Sequence, residues 1–145
     1  MTLSASSLKT AVQAIGNKTT LAAAAQAWAS AVGSYASGVV PSAAAAIAGA
    51  QSTLQGALAT AFAERPSAAA KMEIAFAAFA LTVAGGMTGY TGTPPSGDVG
   101  FATVFASTTD DAADAAEDIA NAIHAWMITG KAVLIAPPNT ASAWA

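Results

Sequence analysis

The segment SAAAKMEIAFAAFALTVAGG, residues 67–86, decides how this chain folds. Met72, Phe76, Phe79 and Val83 follow one another at helical spacing, so they share one face of an α-helix, while Ile74 and Leu81 point elsewhere. A helix that is apolar nearly all round is buried, which places this element at the centre of the fold or at a subunit interface. Ser67 stands where an N-cap belongs, and Gly85-Gly86 ends the run. The apolar stretch from Ile74 to Met87 is about 14 residues against the ~20 a membrane span needs, so insertion is not expected. Met1-Thr2-Leu3-Ser4 also lacks the basic start and apolar run of a signal peptide.

Upstream, the same periodicity predicts three more helices. Leu8, Val12 and Ile15 define one over residues 4–15, with Ser4 or Ser6 as cap and Gly16-Asn17 as stop. Leu21, Ala25, Trp28, Val32 and Tyr35 share one face of a second over 20–36, capped by Thr19 or Thr20 and broken by Gly38 and Pro41. Ser42 opens a third over 42–63, with Ile47, Leu54, Leu58 and Phe62 on one side. Gly49 and Gly56 weaken it by ~1 kcal/mol each relative to Ala, and in a bundle they would mark close backbone contacts.

Downstream, residues 84–100 (AGGMTGYTGTPPSGDVG) form a Gly/Pro/Thr-rich loop. Its length, its single charge at Asp98, and Met87 and Tyr90 suit a docking arm better than a catalytic lid. Phe101 to Phe105 reads equally as a helical turn or a short extended piece. The last helix, 109–129, has Thr108 or Thr109 as cap and Asp110, Asp111 and Asp114 at the positive end of its dipole. Ala112, Ala116, Ile119, Ile123 and Trp126 run along its buried face, and Gly130 is placed as the C-terminal cap. Val133-Leu134-Ile135 could add an extended strand to something. The expected fold is therefore all-α: a compact bundle of about five helices with a long Gly/Pro-rich loop. One domain is expected over residues 1–136, followed by an extended C-terminal tail over 137–145.

Composition supports helix and excludes several chemistries. Ala, the strongest helix former, occupies roughly a third of all positions. Charged residues make up only 9%, far below the average of about 25%. None lies between Lys18 and Glu64, nor from Ile74 to Gly97. Either Ser, Thr and Gln solvate that surface or neighbouring subunits cover it, and the large apolar residues in both gaps favour the second. There is no cysteine, hence no disulfide, thiolate or Cys-based zinc site. Five basic residues, scattered, make no nucleic-acid patch.

Three features invite a chemical reading and each has a plainer one. Asp110, Asp111, Asp114, Glu117 and Asp118 spread over several helix faces without a calcium-loop pattern, as a solvated helix start does. His124, the single histidine, flanks the buried face, where a structural or interface role suffices. Gly85-Gly86-Met87-Thr88-Gly89 lacks the Lys-Ser/Thr of a phosphate loop and follows a helix, so it reads as hinge and cap. Trp28 and Trp126 lie in apolar stripes and read as core. Trp144, isolated near the terminus, reads either as a disordered end or as an anchor on a partner.

Ala22 to Ala29 leading to Tyr35, Thr93-Pro94-Pro95 before Phe101 to Phe105, and the run Ile119 to Gly130 followed by Trp144 together carry a resemblance. The chain resembles small Ala-rich virion proteins of tailed bacteriophages. That resemblance implies a non-enzymatic structural subunit of the tail, baseplate or neck, packed against other virion proteins and copies of itself. It implies a virion location after synthesis in the host cytoplasm. It brings no catalytic, cofactor-binding or metal-binding residue, no small-molecule substrate and no nucleic-acid or membrane partner. Interaction residues are expected at Met87, Tyr90, Pro94, Pro95 and Trp144. The alternatives are a secreted or surface Ala-rich helical module, and a small enzyme using His124.

Overall fold

In the computed structural model, which describes residues 2–107 and 111–145, one side-chain oxygen sits at the start of each of three helices. Ser4 Oγ accepts from Ser7 N at the start of α1, Ala5–Ile15. Thr20 Oγ1 accepts from Ala23 N at the start of α2, Leu21–Ala36. Asp111 accepts from Ala113 N and Asp114 N at 2.7 and 2.9 Å at the start of α6, Ala112–Met127. These caps satisfy amides that no helical carbonyl can reach, and the Asp111 charge also suits the helix dipole. Asp111, expected inside the first turn, is thus the cap; the expected caps Thr108 and Thr109 lie outside the described residues, as does Asp110.

Between α2 and α6 come α3, Ala44–Ala63, a 3-10 turn at Arg65–Ser67, and α4, Ala68–Gly85. Strand β1, Tyr90–Thr93, and a short helix α5, Phe101–Ala106, follow; β2, Lys131–Leu134, and β3, Ala141–Ala143, close the chain. Two expected caps differ. The α3 helix starts at Ala44, with Ser42 Oγ accepting from its amide nitrogen, and Ser67 turns its hydroxyl back to donate to Glu64 O.

The chain is mostly helical, at 64%, but the all-α expectation needs correction. β1 pairs antiparallel with β2, Tyr90 opposite Leu134, and β2 pairs antiparallel with β3, Lys131 opposite Ala143. Strands of four, four and three residues are too short for alternation to separate them from loop. Phe101 to Ala106 is helical, which settles the reading left open for that stretch.

Each helix lies against its neighbours in sequence, and α6 returns to lie against α1. The α4 helix touches α3, α5 and β1. Its predicted stripe is buried: Met72, Phe76, Phe79 and Val83 are all at or below 2% exposure. Phe76 meets Phe101 and Trp126 edge-on, with centroids 5.0 and 6.5 Å apart, a favoured aromatic geometry. Leu8, Leu54, Leu58 and Ile123 complete the core, while Trp28 and Ile119 are half-buried against it and Leu21 is exposed. Gly49 and Gly56, expected at close contacts, face open space; the tight approaches are Gly33 to Gln51 and Gly86 to Ala46.

Residues 65–85 form a helical run of 21 residues in which an 18-residue window reaches a mean hydropathy of 1.4, long and apolar enough by length and composition to cross a membrane. The stretch of about 14 residues counted from Ile74 lies within this run and is preceded there by Lys71 and Glu73. A core helix meets the same requirement, and one full face of this one is packed inside the protein.

The segment 137–145 is not a free tail. Trp144 is fully buried, its amide donates to Gly130 O and its carbonyl accepts from Val40 N. A Cβ on Gly130 would lie 2.5 Å from the Trp144 ring. Gly130 is therefore a seat for the indole, and Ile128 takes the C-cap position. Replacing Trp144 with Ala is expected to cost about 3–5 kcal/mol, as is Phe76→Ala, in urea unfolding. Trp144→Phe is expected to cost less, since the indole N–H is buried without a partner among the described residues and its removal relieves that penalty. A loss below about 1 kcal/mol for Trp144→Ala would mean the terminus is not part of the fold.

Candidate functional site

The expected docking loop is tied down along its length. Met87 is buried at the end of α4, and Tyr90 opens β1 half-buried against the core. Gly92 passes so close to Ala84 O that a side chain would clash with the α4 backbone. Pro94 and Pro95 are half-buried. Beyond them, Ser96 N donates to Thr129 Oγ1 at 3.2 Å and Trp126 Nε1 donates to Gly97 O at 2.9 Å. Then the Glu73 carboxylate accepts from the amides of Val99, Gly100 and Phe101 at 2.8, 2.8 and 2.7 Å. Of the five expected interaction residues, Met87 and Trp144 are inside the protein and cannot meet a partner. Backbone pairing and aromatic burial within the chain take the place of the proposed arm.

Glu73 is the residue that sequence reading missed. It looked like a charge at the edge of an apolar run. A carboxylate in a largely apolar helix needs donors, but nothing local marks which amides, 26 to 28 residues away, supply them.

Several other polar groups are engaged in structure as well. Lys9 pairs with Glu117, joining α1 to α6, and Lys71 pairs with Glu64. The Glu117 hydrogen bond holds the Lys9 ammonium above the ordinary lysine range. Tyr35 Oη and His124 Nδ1 lie 2.8 Å apart and link α2 to α6; the phenol donates when the imidazole proton is on Nε2. Burial pushes the Tyr35 phenol up, because a phenolate is costly out of water. The acidic residues stay dispersed, and among the described residues no group of three or more metal-ligating side chains comes together.

Large apolar side chains are exposed at several places, among them Phe105 and Ile135, and two of them share the outer face of α3 and α4. Ile74 is 71% exposed and Leu81 63%. Beside Ile74 a groove of about 280 Å³ runs between the two helices, lined by Ala57, Thr60, Lys71, Ala75 and Ala78. No charge lies anywhere on α3, or on α4 beyond Glu73. Large exposed apolar side chains grouped on an uncharged face mark interaction surfaces on proteins. No known protein family matches the chain, and no curated protein or solved structure is similar to it.

The Tyr35 environment has a measurable consequence. An unfolded phenol ionises near pH 10, while the folded one keeps its proton to higher pH, so above that value the folded state binds more protons. Its contribution is complete below about pH 10 and is lost as pH rises beyond. Tyr35→Phe is expected to flatten the fall in stability between about pH 10 and 11.5, read as the difference from wild type in urea midpoints. Parallel slopes for the two proteins would refute it.

Proposed function

We propose that this chain is a non-enzymatic structural subunit of a tailed-phage particle, in the tail, baseplate or neck, and that it acts by packing against protein. The observation that supports this most directly is the outer face of α3 and α4, uncharged but for Lys71 at the edge of its groove, from which Ile74 and Leu81 project. A chain with five basic and eight acidic residues has little charge with which to solvate itself, and contact with protein would cover that face.

The distribution of polar groups supports the same reading. Glu73 holds backbone amides, Asp111 caps α6, Lys9 and Lys71 are paired, and His124 is held by Tyr35. Apart from the Asp111 cap, which closes the start of its own helix, each of these contacts ties one part of the chain to another. The tail or baseplate assignment comes from the resemblance in Ala22 to Tyr35, Thr93 to Phe105, and Ile119 to Trp144. The interaction surface is moved from the loop and terminus to the helical face.

Particles purified from the phage that encodes the chain are expected to contain it in a fixed copy number by quantitative mass spectrometry. His124→Ala is expected to enter particles at wild-type level. Absence of the wild-type chain from every particle would end the proposal. Normal incorporation of His124→Ala with lost infectivity would instead point to chemistry at His124.

A further inference from the structure

We infer that the chain pairs with a second copy of itself through the outer face of α4, the two helices antiparallel across a two-fold axis between Ala77 and Ala78. The inference deepens the packing reading above and uses the same face. Besides Thr82 at its edge, whose mirror position is the half-buried Glu73, α4 exposes Ala70, Ile74, Ala77, Ala78, Leu81 and Gly85 along that face. The series is symmetric about the point between Ala77 and Ala78. Reversing one helix on another sets Ile74 against Leu81, Ala77 against Ala78, and Ala70 against Gly85. A two-fold contact has this property: where one residue meets a second, the second meets the first on the other side. Alanines at the centre let the backbones approach, and the two large side chains flank the axis on both sides.

The same face carries both a projection and a hollow. Leu81 stands out at 63% exposure, and the groove beside Ile74 is lined by alanines and Thr60. In the antiparallel arrangement the second copy's leucine at this position comes to that groove, and the exchange is mutual. Polar groups do not oppose it. Thr82 Oγ1 donates to Ala78 O, and Thr60 Oγ1 donates to Gly56 O, so neither hydroxyl needs water. Lys71, at the edge of the groove, is already paired with Glu64.

Charge and area both favour a second copy. A surface that meets itself sets its own charges near one another, so a patch of one sign repels itself. This one has no charge from Ile74 to Gly85 and none on α3. With 18 residues, α4 is about 27 Å long, and with α3 beside it the face is about 20 Å wide. That is roughly 540 Å² for each copy and about 1,100 Å² in total, just above the ~1,000 Å² a specific interface needs.

Sedimentation equilibrium on the full-length chain tests this. The wild type is expected to dimerise at tens of micromolar. Leu81→Glu is expected to weaken the dimer about tenfold or more, since it buries an unpaired charge, with an unchanged melting temperature at concentrations where both chains are monomeric, because Leu81 is exposed on the single chain. Ile74→Lys with Leu81→Glu in one chain is expected to restore pairing that weakens with salt, because the introduced ammonium of each copy would meet the introduced carboxylate of the other. The absence of cysteine permits a direct check. Ala78→Cys is expected to cross-link to its own copy under oxidation, and Gln26→Cys on α2 is not.

A wild-type chain that stays monomeric at about 100 µM overturns the inference, as does a dimer indifferent to Leu81→Glu. So does a monomer that binds phosphatidylcholine vesicles through this face. A monomeric chain that still enters particles removes the pairing and leaves the particle reading standing. A dimer found in a chain absent from every particle does the reverse.

Discussion

A single carboxylate organises one side of this protein. Glu73 lies in α4 and accepts hydrogen bonds from three consecutive backbone amides, Val99 to Phe101. Bonds to an ionised acceptor contribute about 1.5–3 kcal/mol each, and these amides at the start of α5 have no helical acceptor. Holding that turn against α4 delivers Phe101 onto Phe76, and Phe76 in turn meets Trp126. The indole of Trp126 then returns to the same segment through Gly97 O. A long loop that would cost entropy to order is thus fixed from both sides by α4 and α6.

The other side depends on the C-terminus. The strand β2 leaves α6, β3 folds back on it, and Trp144 enters the interior over Gly130. The carbonyl of Trp144 reaches the amide of Val40, between α2 and α3. The last residues of the chain therefore close the same structure that the first helices begin. One cost is visible: the Trp144 indole N–H is buried without an acceptor among the described residues, and burial of the large ring has to outweigh it.

Low charge gives the remaining surface its character. One ion pair joins α1 to α6, and the other ties Lys71 of α4 to Glu64 at the end of α3, at the edge of the groove, so that the rest of the face formed by α3 and α4 carries no charge. A helix that is apolar on two faces can bury only one of them within a chain of this size. The inner face, with Met72, Phe76, Phe79 and Val83, packs against neighbouring elements, while Ile74 and Leu81 remain outside. Interior packing is therefore a sufficient account of half of α4 and no account of the other half.

The helices were legible in the sequence because their signals are local. Spacing of Leu8 and Val12, of Val32 and Tyr35, and of Phe76 and Phe79 locates the buried faces, and Ser4 and Thr20 locate two starts. The uncharged, apolar second face of α4 was legible too, through Ile74 and Leu81. Other features depended on partners distant in sequence. Nothing near Glu73 announces amides 26 to 28 residues away, and nothing in a lone terminal Trp144 says that Gly130 leaves room for it. The strands, at three or four residues, carry too few positions for a pattern, and the pairing of β1 with β2 joins segments some forty residues apart, Tyr90 with Leu134. Periodicity and capping act within a few residues, so sequence determines them. Which buried groups satisfy one another is settled only when the chain has closed, because each finds its partner through space.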